Sequence, residues 1–270
     1  MKVIILCGKN ENQKALVNKI ANVACILGIV IEKKKTKSKT PFFDILMKIT
    51  NKLFFHKIDK SWNLLMEYYS KKFPLWPKSN QLFVENINYK EVVDYINNLK
   101  CDLIIVSGTR LIKKSSLEKF QSTKGIINLH TGISPYVKGG PNCTNWCIAE
   151  NNFHLIGNTI MWIDSGIDSG NILTTERTIL TGNENLNQIH IKVMEHAHEL
   201  YLRSIMALNE KKNVPNVKQK NIASGKTYLT KEWNFKNKVR LIYNMSSFNK
   251  SKLLNYNESS ITLIPIKTIV

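Results

Sequence analysis

The chain of 270 residues is poor in the features that would place it outside the cell or in a membrane. Its five cysteines, Cys7, Cys25, Cys101, Cys143 and Cys147, form an odd set without zinc-ribbon or disulfide spacing. Cys143 and Cys147 stand one helical turn apart, but no second pair or histidine follows at ligand spacing. They are expected as small buried side chains on a helix, and no metal is expected. No stretch approaches the ~20 apolar residues of a membrane span. The opening apolar run stops at Lys9-Asn10-Glu11-Asn12, too short for a signal-peptide core, so a cytoplasmic location is expected. Acidic residues are scarce, 20 against 39 Lys and Arg, giving a formal charge of +19. Lys and Asn are spread throughout, as a compositional bias would leave them. The densest basic run, Lys33 to Lys39, is expected as a solvated loop. Aromatic residues do not interleave with it, so no nucleic-acid partner is expected. A glycine fingerprint is missing too: Cys-Gly-Lys-Asn follows Val3-Ile4-Ile5-Leu6, which disfavours a dinucleotide.

What is present is an alternation of apolar runs and amphipathic periods. Lys2–Leu6 reads as a strand, Leu16, Ile20 and Val23 mark a helix, and Ile26–Ile31 reads as a second strand. This βαβ opening favours a parallel sheet with helices on its faces. Phe42–Phe55 and Trp62–Phe73 read as amphipathic helices packing over the sheet, closed by Pro74 and Pro77. Leu82–Val84 is a short strand, and Asn88 is expected to cap a helix over Tyr89–Leu99. Leu103–Val106, Leu155–Ile163 and Ile172–Leu180 read as strands, Asn142–Glu150 as a helix, and Glu184 to about Asn209 as a long helix. His190, His196 and His198 on that helix diverge, so they are expected to be solvated or singly hydrogen-bonded rather than a metal cluster. After Lys211 the chain turns polar, as an appended subdomain would. The expected class is α/β: a Rossmann-like, mostly parallel sheet flanked by helices, with a small C-terminal subdomain.

Chemistry concentrates between Gly125 and Leu180. Ile126-Ile127 leads into Asn128-Leu129-His130, and strand alternation puts Asn128 and His130 on one face. Asp168 follows in the turn-rich Asp164-Ser165-Gly166-Ile167-Asp168-Ser169-Gly170. A carboxylate, an imidazole and an amide donor are the parts needed for acid–base work beside a developing oxyanion. Ser134 lacks a Gly-x-Ser-x-Gly elbow and is not expected to be a nucleophile.

The order Asn128-x-His130, Ser134-Pro135 through Gly139-Gly140-Pro141, Gly157-Asn158-Thr159, then Asp164 through Gly170 resembles the formyltetrahydrofolate-dependent formyltransferases. The match is good over about residues 100–180, and the chain looks most like the sugar N-formyltransferases. The resemblance implies a catalytic domain over residues 1–210 and a subdomain over 211–270. It implies Asn128, His130 and Asp168 as the catalytic trio and 10-formyltetrahydrofolate as formyl donor. The donor would lie along Ser107, Gly108, Arg110, Leu111 and Ile112 and along Ile163, Asp164 and Ile167. Arg110 reads equally as a surface residue paired with a carboxylate. Thr131, Lys138, Gly140, Pro141 and Asn142 would meet the acceptor, a small amine on a nucleotide-linked sugar destined for surface polysaccharide such as lipopolysaccharide O-antigen. Lys138 stands where the family more usually has arginine. A homodimer is one assembly in keeping with the resemblance. The alternatives are transfer to methionyl-tRNA, hydrolysis of the same donor, and, last, a non-catalytic polyanion binder.

Overall fold

The computed structural model describes residues 1–33, 54–140, 142–210, 213–254 and 261–266. The basic run after Lys33, most of the Phe42–Phe55 helix and Pro141 lie outside the described residues.

The strand β1 (Lys2–Gly8) shows why the sheet forms. After Lys2 every residue is buried, and alternate side chains enter two cores. Val3, Ile5 and Cys7 pack towards α1 (Glu11–Ile20), α2 (His56–Lys72) and α6 (Leu186–Asn209). Ile4 and Leu6 pack towards α3 (Lys90–Leu99). A strand apolar on both faces belongs inside a parallel sheet covered by helices on each side. β1 pairs in parallel with β2 (Cys25–Glu32) and β4 (Leu103–Ser107). β2 pairs with β3 (Gln81–Val84), and β4 with β5 (Ile126–His130), again in parallel. Then β7 (Gly157–Trp162) and β8 (Ile172–Arg177) extend the sheet antiparallel, giving the order β3-β2-β1-β4-β5-β7-β8. The chain reverses its direction of travel across the sheet between β1 and β4. Open α/β sheets leave a ligand crevice at the carboxyl ends of such strands.

A second, two-stranded sheet pairs β6 (Val137–Gly139) in parallel with β9 (Lys226–Tyr228). The short α4 (Lys114–Leu117) follows the loop after β4, and α5 (Cys143–Ala149) follows β6. Near the end of the chain, α7 (Phe235–Ser246) and α8 (Lys250–Leu254) pack towards α5 and the turn at Phe153–Leu155. Trp146 of α5 stacks on Tyr228, with ring centroids 4.7 Å apart, and meets the edge of Trp233 at 4.8 Å. Residue Ile264 accepts from the N–H of Thr175 on β8 at 2.8 Å. No helix among the described residues is long and apolar enough to cross a membrane.

Three local expectations are corrected. Asn88 does not cap α3: its Oδ1 accepts from the N–H of Lys113 at 2.7 Å and its amide donates to Leu111 O at 3.1 Å, tying down the loop after β4. The strands at β7 and β8 are shorter at their outer ends than apolarity suggested, because Phe153–Leu155 forms a 3₁₀ turn and Ile179 is exposed. The histidines of α6 are not solvated, since this helix lies across the sheet. His190 bonds Asn145 and Ser61, and His196 bonds Glu176, Thr178 and Asn158. His198 is fully buried against Tyr69, and burial and Lys19 hold its pKa well below the usual value. Cys143 and Cys147 are buried on α5, as expected.

Glu32 closes β2 and organises the crevice. Its buried carboxylate accepts from the N–H of Ile87 at 2.9 Å and of Arg110 at 2.8 Å, and meets Arg110 Nε at 2.6 Å. The side chain of Arg110 therefore pairs with a carboxylate. Removing Glu32 orphans two backbone donors. Glu32→Ala should cost roughly 3 kcal/mol in a denaturant melt. A loss too small to measure would show that these contacts do not support the crevice.

Candidate active site

Alternation on β5 sets the site. Ile127 and Leu129 enter one core, while Ile126 enters the other; Asn128 and His130 share the face of Ile126. At the strand end both line a cleft of about 480 Å³. Antiparallel pairing puts Thr159 of β7 opposite His130. The Thr159 hydroxyl donates to Gly132 O at 2.6 Å and accepts from the N–H of Ser134 at 2.9 Å, so the loop leaving His130 is fixed. Ser134 itself is fully buried, in keeping with its exclusion as a nucleophile.

His130 Nδ1 lies 3.2 Å from Asp168 Oδ2, and Nε2 lies 2.9 Å from Val137 O. Both ring nitrogens face oxygen acceptors, and only the doubly protonated ring satisfies both. Burial by itself lowers the pKa of this imidazole. The Asp168 carboxylate works against burial, with Cys143 and the Val137 carbonyl adding to it, and the net shift is upward to about 10. Nε2 is engaged by a backbone carbonyl, so in this geometry His130 brings positive charge to the cleft while Asn128 is the trio's neutral donor lining it.

Asp168 occupies the left-handed region, at φ +46°. Its Oδ2 also accepts from the N–H of Gly139 at 2.9 Å. Gly139 sits at φ +83°, and any Cβ there would collide with the Tyr228 carbonyl. Gln219 holds the same turn from outside, its Nε2 donating to Asp168 O at 2.7 Å and to Gly170 O at 2.8 Å. Asp164 closes the turn from within. Its Oδ1 accepts from the N–H of Gly166 at 2.9 Å and from the Ser169 hydroxyl at 2.6 Å.

The cleft brings together Asn128, His130 and Asp168 with Gly108, Arg110, Leu111 and Ile112 of the loop after β4. Ile163, Asp164 and Ile167, after β7, and Gly140, after β6, line it as well. Ser107 is buried within β4, and Lys138 lies on β6 opposite Thr227; neither lines the cleft. Thr131 and Asn142 line a smaller neighbouring cavity. Asn142 Oδ1 caps α5, accepting from the N–H of Asn145 at 3.1 Å. Among the described residues no group of three His, Cys, Asp or Glu could hold a metal.

Sequence reasoning missed Glu32, Gln219 and the cleft-lining stretch Tyr228, Leu229 and Thr230. Glu32 carried a signal, a lone carboxylate ending the apolar run Ile29-Val30-Ile31. Gln219 and Tyr228 carried none, because their contacts join segments distant in sequence.

The charge pair predicts a pH dependence. The pKa of His130 is raised on folding, from 6.5 to about 10. Its contribution to stability is therefore full below pH ~6.5 and lost as pH rises through about 10. In Asp168→Asn, burial dominates and the imidazole pKa should fall below 6.5, as histidine NMR titration would report. An unchanged pKa would show that Asp168 is not what charges the ring.

A family model described as formyl transferase matches residues 1–205 of this chain. Among curated relatives, the methionyl-tRNA formyltransferase of Clostridium tetani is 31% identical over 124 residues, which are 45% of this chain and 38% of that enzyme. The chain thus matches under half the length of that relative. Among solved structures, a sugar N-formyltransferase from a Shewanella species superposes with a TM-score of 0.57 at 13% identity, covering 90% of this chain and 87% of that one. An N-formyltransferase from Helicobacter canadensis, solved with folinic acid and dTDP-3-aminofucose, gives 0.54 at 17% identity, covering 89% and 80%. At these identities the likeness is one of fold.

Proposed function

Because this chain belongs to the formyl transferase family, we propose that it moves a formyl group from 10-formyltetrahydrofolate to the amine of a small, nucleotide-linked amino sugar, in the synthesis of surface polysaccharide. The observation that carries the reading is the meeting of Asn128 with the His130–Asp168 pair in the lining of one cleft.

The cleft suits a folate. Its lining sets the apolar Val106, Ile112, Met161 and Ile163 among stretches of loop backbone, which suits a flat ring with polar edges. Ser107 drops out of the proposed donor-binding set, being buried behind the loop it precedes. When bound, the donor supplies a formyl group already activated for transfer.

The chain's own residues then divide the work. Asn128 donates its side-chain N–H to the formyl oxygen as negative charge builds there. His130, held as an imidazolium by Asp168, places positive charge beside the same oxygen. Asp168 engages His130 and Gly139 through one oxygen, Oδ2, which leaves Oδ1 to take the proton that the attacking amine must shed. Release of that proton to the departing folate nitrogen completes the transfer. The step needs no covalent enzyme intermediate.

Transfer to methionyl-tRNA is a second reading, favoured by the relative from Clostridium tetani. The assay separates the two: 10-formyltetrahydrofolate is turned over with nucleotide amino sugars, with methionyl-tRNA, or with no amine. Turnover that depends on an amino sugar is expected. Formate release without any amine would instead mark a hydrolase. Asn128→Ala should lower kcat by about 10²–10³, and Asp168→Asn and His130→Ala by orders of magnitude, all in folded protein. Near-normal kcat in any one of these variants would remove that residue from the mechanism.

A further inference from the structure

A second cavity, of about 530 Å³, shares no lining residue with the cleft. Asp59, Trp62 and Asn63 of α2 line it, facing Asn142, Asn145 and Trp233. We propose that this cavity is a carbohydrate subsite, taking one neutral pyranose ring of the acceptor. Its link to catalysis rests on the formyltransferase reading above; the binding itself does not.

The chemistry of the lining points to a sugar. Each indole is oriented by a second ring. Trp62 meets His190 edge-on with centroids 6.3 Å apart, and Trp233 meets Trp146 edge-on at 4.8 Å. Both indoles remain only partly buried. The negative face of an indole attracts the weakly positive C–H edge of a saturated ring. The amides are oriented as well. Asn145 Oδ1 is engaged by His190 Nε2 at 2.8 Å, and Asn142 Oδ1 by the N–H of Asn145 at 3.1 Å. In each side chain the NH₂ group is left for a ligand. Burial lowers the pKa of His190 to about 4, so that ring is neutral at physiological pH. Asp59 supplies an acceptor for hydroxyl protons. None of the lining residues is Lys or Arg, and Lys238, the cation that interacts with Asp59, is offset by that carboxylate, so a phosphate is a poor occupant despite the chain's overall charge of +19. Amide donors, one carboxylate and two indole faces together match an uncharged ring bearing several hydroxyls.

The position of the cavity fits an acceptor. The adjoining small cavity shares Trp62, Asn142 and His190 with it and reaches Thr131, the residue after His130. A ring seated here is thus linked, through the small cavity, to the segment that carries His130.

Saturation-transfer NMR on the full chain tests this with two kinds of neutral probe: methyl hexosides, including an N-acetylhexosaminide, and the nucleosides uridine and thymidine. Sugar binding is expected, weakened roughly tenfold in Kd by Trp62→Ala. Asp59→Asn and Asn63→Ala change exposed side chains and keep the test sound if Trp62→Ala fails to fold; each should weaken the same probe. Nucleoside binding that these variants abolish, without sugar binding, would overturn the proposal in favour of a nucleobase pocket. Binding of neither probe by protein that still binds a folate analogue would overturn it while leaving the formyltransferase reading intact. Sugar binding unchanged in all three variants would place the sugar elsewhere and overturn it as well.

Discussion

One carboxylate oxygen, Asp168 Oδ2, joins three segments that are distant in sequence. It meets the imidazole at the end of β5 and the backbone of Gly139 on β6, and it belongs to the turn after β7. The constraint explains several costly features around it. Asp168 adopts a left-handed backbone, which L residues rarely do, and Gln219 spends both amide hydrogens holding it there. Gly139 is required where β6 meets β9, because a side chain would strike Tyr228. The buried imidazole stays charged because this carboxylate outweighs its desolvation.

The sheet prepares the place where these groups meet. Tyr201, buried on α6, accepts from the N–H of Val106 at 3.1 Å and donates to Ile127 O at 2.8 Å. A side chain thus bridges the backbones of β4 and β5, at a residue of β4, Val106, that lines the cleft. Glu32 and Arg110 then brace the loop after β4, which lines that opening. The Thr159 hydroxyl, bonded to Gly132 O and the N–H of Ser134, fixes the loop that leaves His130. The C-terminal stretch takes part in both cavities: Tyr228 lines the cleft and Trp233 lines the second cavity.

Much of this was legible in the sequence, for physical reasons that differ by element. The inner strands were readable because a strand buried on both faces must be a continuous apolar run, as in Val3–Leu6 and Leu103–Val106. The placing of Asn128 and His130 on one face followed from the two-residue period alone. The meeting of Asp168 with His130 did not: no local periodicity links positions 38 residues apart, and only the ordered motif suggested it. Asn88 was misread in role because an asparagine amide can cap a helix or bridge a loop with equal chemistry. The histidines of α6 were misread because helical spacing shows divergence between residues but not which flank lies over the sheet. Glu32 could have been singled out as a charge closing an apolar strand, whereas nothing local distinguishes Gln219 from its polar neighbours.

On the proposed function, the crevice bounded by the loop after β4 and the turn after β7 holds a folate. Calorimetry of a folate analogue against the protein, with no acceptor present, tests it most directly. Saturable binding is predicted, with a rise in Tm that grows with ligand concentration. Gly108→Val should abolish both effects, because Gly108 sits at φ +70° within the lining, where a branched side chain is strained and crowds the cleft. Well-folded wild-type protein that binds no folate analogue would contradict the account.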